Sequence, residues 1–380
     1  MAEKEHIYYF DYLRIVAFIS VIFMHAASMP LRYGINKNWY VTNFFTCLAF
    51  TAVPFFMMMS GYLLMSSEKT TDVSSLFKRL PRLVLPLIFW SLVAVMWILY
   101  AQDNLNLKSI VSAAIGAIHQ PVMLHLWYMY TLIAIYVISP FLYAGLHGLK
   151  RSGHILLFSL IVLVNVQYML HIIIPVPFNK LFEWDVLYKM QIFGGHLCTF
   201  FLGYYLGTCK KRVSNRLLLM LSAICLCVIT VGTWYLTVHN GEFDQTFQVQ
   251  SEGFEVLLAS CLFLYAKQNF NKTCSLLNRF VKPLAVLSLP IYLIHNIILS
   301  IFGHYGLEYT TFAGIVFTTF LVVIIAYLIT KTIASFKPLC FIANGINYSS
   351  ACNSANWQYT YKYIKNILQR KSTTKELDKE

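Results

Sequence analysis

Long apolar segments, separated by short polar connections, run through almost the whole chain. Most of them are close to the roughly 20 residues that an α-helix needs to cross the hydrocarbon core of a membrane. They lack the strict apolar–polar alternation of a membrane β-barrel strand. Because lipid offers no hydrogen-bond partners, a spanning segment must satisfy its own backbone, which favours helices. The pattern predicts about ten transmembrane helices, at about residues 9–29, 43–65, 81–101, 125–146, 154–174, 192–208, 215–238, 252–266, 283–302 and 311–336.

Composition supports the same class. The chain is 58% hydrophobic and only 12% charged, whereas a soluble domain carries about 25% charged residues. This charge density excludes a water-exposed globule, and we predict an all-α, polytopic membrane protein. The run 110–118 is too short to span and is expected to lie at the surface or to re-enter the membrane. The nine cysteines form no C-x-x-C pair, so we expect no metal site.

The positions of lysine and arginine predict the orientation. These residues are concentrated in alternate connections, namely 66–82, 147–153, 209–216, 267–282 and the C-terminal tail. The opposite set of connections contains only Arg32, Lys37, Lys108, Lys180 and Lys189. Positive charge collects on the cytoplasmic side of membrane proteins, so both termini are predicted to be cytoplasmic. The net charge of +13 then belongs mostly to one membrane face and does not indicate nucleic-acid binding.

The chain is predicted to contain one integral-membrane domain, residues 1–340, and a cytoplasmic tail, residues 341–380. The stretch from Asn344 to Asn356 is small and polar, which is typical of a linker. After it, apolar residues recur at helical spacing among lysines and arginines, which predicts a short amphipathic helix on the anionic inner leaflet. These apolar residues are Trp357, Tyr361, Ile364 and Leu368.

The first apolar segment carries three ionisable residues, which are costly in a membrane and therefore candidates for function. Asp11 and Arg14 are three positions apart and share a helix face. His25 follows Arg14 by eleven positions, close to three turns, which places it on the same face ~16 Å further along. Asp11 and Arg14 suit either an interfacial ion pair or a functional site. His25 suits either a packing residue or a general base.

Two connections on the predicted outer side combine acidic and aromatic residues. They contain Glu183-Trp184-Asp185 and Glu242-Phe243-Asp244. Aromatic rings can cover sugar faces while carboxylates accept hydroxyl protons, so these connections suit a carbohydrate. For either connection alone, we favour the simpler interpretation of an ordinary interfacial aromatic beside solvated charges.

The spacing Arg14-x10-His25 resembles the signature of acyltransferase family 3, bacterial integral-membrane O-acyltransferases that modify surface polysaccharides and glycolipids. Four further blocks resemble that family in the same order, over about residues 8–300. They are Val53-Pro54-Phe55-Phe56 with Ser60-Gly61-Tyr62-Leu63; Phe77-Lys78-Arg79-Leu80-Pro81-Arg82 with Pro86 and Trp90; His125-Leu126-Trp127-Tyr128; and Ile291-Tyr292-Leu293-Ile294-His295.

The resemblance implies a reaction. A cytoplasmic acyl-CoA, usually acetyl-CoA, would be the co-substrate, with no bound cofactor. The acyl group would pass to a hydroxyl of an outward-facing glycan or lipid-linked sugar, such as lipopolysaccharide or exopolysaccharide. The expected location is the bacterial inner membrane, with acyl-CoA, the acceptor and membrane lipid as partners and no nucleic acid. Acetyl and longer acyl donors both remain open.

The resemblance also implies roles for residues. His25 would be the general base, Asp11 would position Arg14, and Tyr128 or a backbone amide would stabilise the oxyanion. The residues expected to bind acyl-CoA are Arg14, Ser60, Lys78, Arg79 and Arg82, with Gly61 permitting a close backbone approach. The residues expected on the acceptor side are His125, Trp127, His295 and Trp184. A covalent acyl-enzyme on Ser60 or a cysteine is a further possibility, and we expect Arg14 and His25 to line one tunnel open to the cytoplasm.

Three other functions fit parts of the same pattern. A secondary transporter or glycolipid flippase would also use about ten helices interrupted by proline, although no internal repeat is visible. A different membrane-bound acyltransferase fold would use a buried histidine near an asparagine, as in His295-Asn296. A membrane scaffold without catalysis is the third.

Overall fold

The structure is a computed structural model that describes residues 6–174, 178–183, 195–270, 275–307, 309–348, 355–362 and 365–366. The described residues form α-helices joined by short connections, with three 3-10 turns and no strand. The helices are α1 Tyr8–Arg32, α2 Lys37–Ala49, α3 Ala52–Met65, α4 Val73–Arg79, α5 Pro81–Ala101, α6 Leu107–His119, α7 Trp127–Gly148, α8 Arg151–Ile173, α9 His196–Thr208, α10 Asn215–Asn240, α11 Gly253–Asn269, α12 Ser275–Val286, α13 Ser288–His304, α14 Phe312–Ile333 and α15 Lys337–Ile342. The 3-10 turns are Glu68–Thr70, Leu124–Leu126 and Phe178–Phe182.

The all-helical membrane architecture predicted from the apolar pattern is confirmed. Seven helical segments of the described chain are long and apolar enough to cross a membrane. Each of the ten predicted ranges contains a helix, but α9, α11 and α13 have only 13, 17 and 17 residues. The count of ten and the cytoplasmic termini therefore stay predictions. Helix α6, from the run 110–118, has no buried residue and lies at the protein surface against α5.

Helix α1 lies at the centre of the bundle. It packs against α2, α3, α11, α12, α13 and α14. Asp11 stands in its first turn and Arg32 in its last, where each charge complements the helix dipole. Most of α1 faces other helices, so the ionisable face that it carries is directed into the protein. The other elements of the site are therefore packed around α1.

Helices α3 and α9 approach each other more closely than side chains would allow. A Cβ atom on Gly61 would lie 1.7 Å from the backbone oxygen of Phe200, and one on Gly203 would lie 2.1 Å from the backbone oxygen of Met58. Glycine at both positions therefore permits direct backbone contact between the helices. The close approach expected of Gly61 serves this helix contact, so Gly61 gives no support for a backbone contact with a CoA phosphate.

The basic connection 66–82 is partly helical. Asp72 caps α4 by accepting hydrogen bonds from the backbone N–H groups of Ser74 and Ser75, at 3.0 and 3.2 Å. Hydrogen bonds from the hydroxyls of both serines, together with these backbone bonds, lower the pKa of Asp72 to about 2. The cap therefore stays ionised at physiological pH. It holds a short helix that carries Lys78 and Arg79 in its last turn.

The chain after α14 folds back onto the start of α5. Trp90 donates its indole N–H to the backbone oxygen of Ala343 at 2.8 Å, and Asn344 donates its amide to the backbone oxygen of Thr330 at 2.8 Å. Asn344 is only 1% exposed. The prediction that the linker begins at Asn344 is therefore wrong, because the side-chain amide of Asn344 is buried in a specific contact. The division at residue 340 and the amphipathic helix stay predictions.

We predict that Gly203→Ala destabilises the protein. The added methyl group would meet the backbone of Met58 at 2.1–2.5 Å, so α3 and α9 must separate. Overpacking of this kind costs about 1–3 kcal/mol, and the melting temperature in detergent should fall. The matched control is Gly145→Ala in α7, where an added Cβ meets no atom within 4 Å. That variant should melt at or above the wild-type temperature, and equal losses in both would contradict the close contact.

Candidate functional site

Three histidines from distant parts of the chain meet inside the bundle. His25 comes from α1, His125 from the 3-10 turn before α7, and His295 from α13. The ring centroids of His25 and His295 lie 5.3 Å apart, those of His25 and His125 5.9 Å, and those of His125 and His295 4.7 Å. His125 and His295 are 2% and 0% exposed, while His25 is half-buried. We call these three residues the histidine cluster.

His125 is held in one tautomer by its neighbours. Its Nε2–H donates to the backbone oxygen of Leu293 at 3.4 Å, and its Nδ1 accepts from the amide of Asn296 at 3.2 Å. The Tyr292 hydroxyl donates to the backbone oxygen of His125. Both ring nitrogens and the carbonyl are therefore engaged, and the turn that carries His125 is fixed to α13.

A cavity of about 280 Å³ reaches His25 from the end of the bundle at which α1 terminates. Its wall includes His125, Tyr128 and Tyr292, with Arg32 as the only charged side chain among the described residues that line it. The remaining lining residues are Val21, Met24, Ser28, Leu31, Thr46, Phe50, Val53, Leu124, Trp127, Phe243, Gln245 and Gln250. The cavity is mostly apolar, with a few hydroxyl and amide groups, as in sites for small polar molecules.

Aromatic residues form much of the cavity wall. The rings of Trp127 and His196 stack with centroids 4.7 Å apart, which fixes the indole. Phe243, from the acidic and aromatic connection Glu242-Phe243-Asp244, lines the same cavity. Trp184, from the other such connection, lies outside the described residues.

The ion pair predicted on α1 is present. Arg14 donates to one carboxylate oxygen of Asp11 at 3.2 Å, and His6 Nε2 lies 2.6 Å from the other. Asp11 is 5% exposed, whereas Arg14 is half-buried. Because a buried carboxylate without partners is strongly destabilising, these two partners account for the position of Asp11. Arg14 keeps guanidinium donors that Asp11 does not engage.

Arg14 of α1 and Arg79 of α4 both interact electrostatically with the Tyr136 hydroxyl of α7. Arg79 also donates to the Thr70 hydroxyl at 3.4 Å. Arg14 lies in the first two turns of α1, at the opposite end of this helix from the cavity.

A series of hydroxyl groups leads from these cations towards the histidine cluster. Tyr136 and the side chain of Ser60 both interact electrostatically with the Tyr128 hydroxyl. The ring of Tyr128 lies 5.7 Å from that of Tyr292, which in turn lies 5.6 Å from His125. Tyr128 and Ser60 thus stand between the two ends of the site. Arg14 does not line the described cavity, so the common tunnel stays a prediction.

The family model described as "Acyltransferase domain", of the acyltransferase 3 family, matches residues 7–331. The chain belongs to the acyltransferase 3 family. The match covers nearly all of the membrane helices, so the resemblance drawn from the short motifs is confirmed. Neither the comparison with curated proteins nor the comparison with solved structures finds a match. Family membership and the apolar helices together establish a multi-pass membrane acyltransferase and leave the transporter interpretation without support.

In this acyltransferase 3 protein, the remaining expected donor residues differ in environment. Arg79 is half-buried, while Lys78 and Arg82 are exposed beside it. The backbone of Arg82 is contacted by the segment after α15: a Cβ atom on Gly345 would lie 2.2 Å from the Arg82 oxygen. The C-terminal segment therefore supports the connection that carries these cations.

Two groups of the acyltransferase 3 chain were missed from the sequence. Tyr136 lies eight positions after Tyr128, a spacing that returns to nearly the same helix face, and this signal was available. Glu255 is 0% exposed, and its carboxylate oxygens have no hydrogen-bond partner among the described residues. Glu255 lies inside a predicted transmembrane helix, so the rule that singled out Asp11 and Arg14 applied to it as well.

We predict that Gly345→Ala weakens donor binding as well as stability. The residue has φ +68°, and an added Cβ would press on the Arg82 backbone and on Pro86. The control is Gly241→Ala, with φ +73° and no atom within 4 Å of the added Cβ. Both variants carry the same backbone strain, so the difference in acetyl-CoA affinity, measured by isothermal titration, isolates the contact with Arg82. Equal affinities would show that this contact does not position the basic connection.

Proposed function

We propose that the protein transfers an acyl group, usually acetyl, from cytoplasmic acyl-CoA to a hydroxyl of a surface glycan or lipid-linked sugar in the bacterial inner membrane. The proposal rests on the positions of His25 and Arg14 towards opposite ends of α1. His25 lines a cavity at one end of the bundle, while Arg14, near the start of α1, interacts electrostatically with Tyr136, as Arg79 does. Such an arrangement suits a reaction whose two substrates arrive from opposite sides of a membrane.

The cationic end suits the donor. Arg14 and Arg79 would bind the CoA phosphates, since guanidinium groups match phosphate oxygens with paired hydrogen bonds. Lys78 and Arg82 add positive charge at the surface beside them. The long flexible arm of CoA would then extend past Tyr136, Ser60 and Tyr128, and bring the thioester towards His25.

The cavity suits the acceptor. Trp127 and Phe243 offer ring faces against which a sugar can pack. Ser28, Gln245 and Gln250 line the same space and offer hydroxyl and amide groups for sugar hydroxyls. The cavity contains one fixed positive charge, Arg32, and no carboxylate among its described lining residues. Glu183, Glu242 and Asp244, the described acidic side chains of the two connections, do not line this cavity.

The reaction would follow from general-base catalysis at His25. The imidazole takes the proton of the acceptor hydroxyl while the oxygen attacks the thioester carbonyl, so that a carbon–oxygen bond forms. Collapse of the tetrahedral intermediate breaks the carbon–sulfur bond, and the proton passes from His25 to the departing CoA thiolate. The reaction gives an ester and CoA with no net change in protons. Positioned bases of this kind contribute about 10²–10⁴-fold to a rate.

Tyr128 is the side chain that we assign to the oxyanion. Its hydroxyl lies near the Ser60 side chain, and it lines the cavity that reaches His25. A positioned donor at the developing charge is a common source of transition-state stabilisation. Ser60 does not line the described cavity, which favours direct transfer over an acyl-serine intermediate.

We predict that His25→Ala abolishes acyl transfer but leaves acetyl-CoA affinity within about twofold of wild type, because the base acts on the acceptor and not on the CoA phosphates. Transfer is measured as radiolabel moving from acetyl-CoA into the glycan and lipid fractions of membranes that contain the protein. Binding is measured on the purified protein in detergent. Full transfer activity in folded His25→Ala protein would exclude His25 as the base.

We predict the opposite pattern for Arg14→Ala. Loss of the guanidinium should weaken acetyl-CoA binding by about tenfold or more, since a charge-assisted hydrogen bond is worth about 1.5–3 kcal/mol. The matched control is Arg216→Ala, which removes an exposed arginine on the same predicted membrane face. It should bind acetyl-CoA like wild type. Equal affinity of both variants would place the donor elsewhere.

A further inference from the structure

The ring nitrogens of the histidine cluster can be assigned one by one from their hydrogen bonds. Both nitrogens of His125 are engaged, with Nε2 as a donor to Leu293 and Nδ1 as an acceptor from Asn296. A neutral imidazole has one N–H and one lone pair. His125 therefore has neither a proton to donate nor a lone pair to offer to the other two rings.

His295 is constrained at one nitrogen and open at the other. Its Nδ1 lies against the backbone oxygen of Tyr292, and a carbonyl can only accept, so Nδ1 carries the proton. Nε2 then bears the lone pair. His295 is 0% exposed, and Nε2 has no hydrogen-bond partner among the described residues. A buried acceptor without a donor costs about 1–3 kcal/mol, so a partner for it is expected.

Three rings lie within contact of His295: His25 at 5.3 Å, His125 at 4.7 Å and Tyr292 at 5.7 Å between centroids. The Tyr292 hydroxyl already donates to the backbone oxygen of His125. His125 has no proton to spare. His25 is left: none of the side-chain hydrogen bonds of the described residues engages its ring nitrogens, and the Ser28 hydroxyl bonds its backbone oxygen instead.

We infer that His295 is a positioning residue for His25: its Nε2 lone pair accepts the N–H of His25 and directs the other nitrogen of His25, with its lone pair, into the cavity. This inference rests on the proposed function of His25 as the base. His295 does not line the cavity, so it acts through His25 and not on the acceptor.

The assignment has a consequence for catalysis. When His25 takes the hydroxyl proton, it becomes a cation with an N–H on both sides. The N–H towards His295 turns into a charge-assisted hydrogen bond, which is stronger than the neutral bond before it. His295 keeps its own proton on Nδ1 throughout, and the proton taken from the hydroxyl leaves with the CoA thiol. The same logic underlies catalytic triads, in which a third group orients the base and stabilises its charged form.

Two substitutions at position 295 separate this role from a structural one. A glutamine amide reaches the place of the imidazole Nε2 and can present an oxygen acceptor to His25. An asparagine amide reaches the place of Nδ1 and can keep the bond to the Tyr292 carbonyl, but presents nothing to His25. A positioning role predicts His295→Gln to be more active than His295→Asn. A structural role, which depends on the bond to Tyr292, predicts the reverse order.

The experiment measures transfer of radiolabel from acetyl-CoA into the glycan and lipid fractions of membranes, normalised to acetyl-CoA binding sites so that only folded protein counts. We expect kcat to fall about 10²-fold in His295→Asn, with partial recovery in His295→Gln and unchanged acetyl-CoA affinity in both. Asparagine equal to or better than glutamine would overturn the inference.

The same measurements separate failure of the inference from failure of the proposed function. If His25→Ala abolishes transfer while His295→Asn transfers at the wild-type rate, His25 is the base and His295 does not position it. If wild-type protein binds no acetyl-CoA, or if His25→Ala transfers normally, the proposed function itself is wrong and the inference fails with it.

Discussion

The cost of placing polar groups where water is excluded is the constraint on which the rest of this structure depends. Inside a membrane bundle, a carboxylate or an imidazole must find its partners among other side chains or the backbone. Asp11 does so through Arg14 and His6, and His125 does so through Leu293 and Asn296. The contacts of His125 tie its turn to α13, whereas those of Asp11 stay within α1 and the residues just before it.

The separation between the two ends of the proposed site follows from the length of α1. A single helix carries Arg14 near its start and His25 about three turns later, on one face. The neighbouring helices supply matching groups at each level: Arg79 and Tyr136 near Arg14, and His125 and His295 near His25. Tyr128 and Ser60 lie between them. An acyl carrier entering from one end and a hydroxyl entering from the other would meet at one depth, which is what transfer across a membrane requires.

Close contacts at glycines fix several elements that carry residues of the proposed site. Glycines allow α3 and α9 to touch through their backbones, and this rigid contact lies beside Ser60. The segment after α15 performs a similar task for the basic connection, since Gly345 rests on the backbone of Arg82. Residues far from the histidine cluster thus support the connection proposed to bind the donor. Glu255 is a buried acidic residue whose carboxylate oxygens have no hydrogen-bond partner among the described residues.

The sequence by itself determined the class of the protein and identified α1 as the helix that carries Arg14 and His25. Long apolar runs require helices in lipid, and the repeat of 3.6 residues per turn places Arg14 and His25 on one face of a helix. Both are local properties, so the sequence alone is enough to predict them. Only the tertiary structure brings His125 and His295 to His25. It also decides the position of Tyr136 near Arg14 and the burial of Asn344. These positions depend on which faces of distant helices pack together, and apolar helices of nearly uniform hydrophobicity carry little information about that choice.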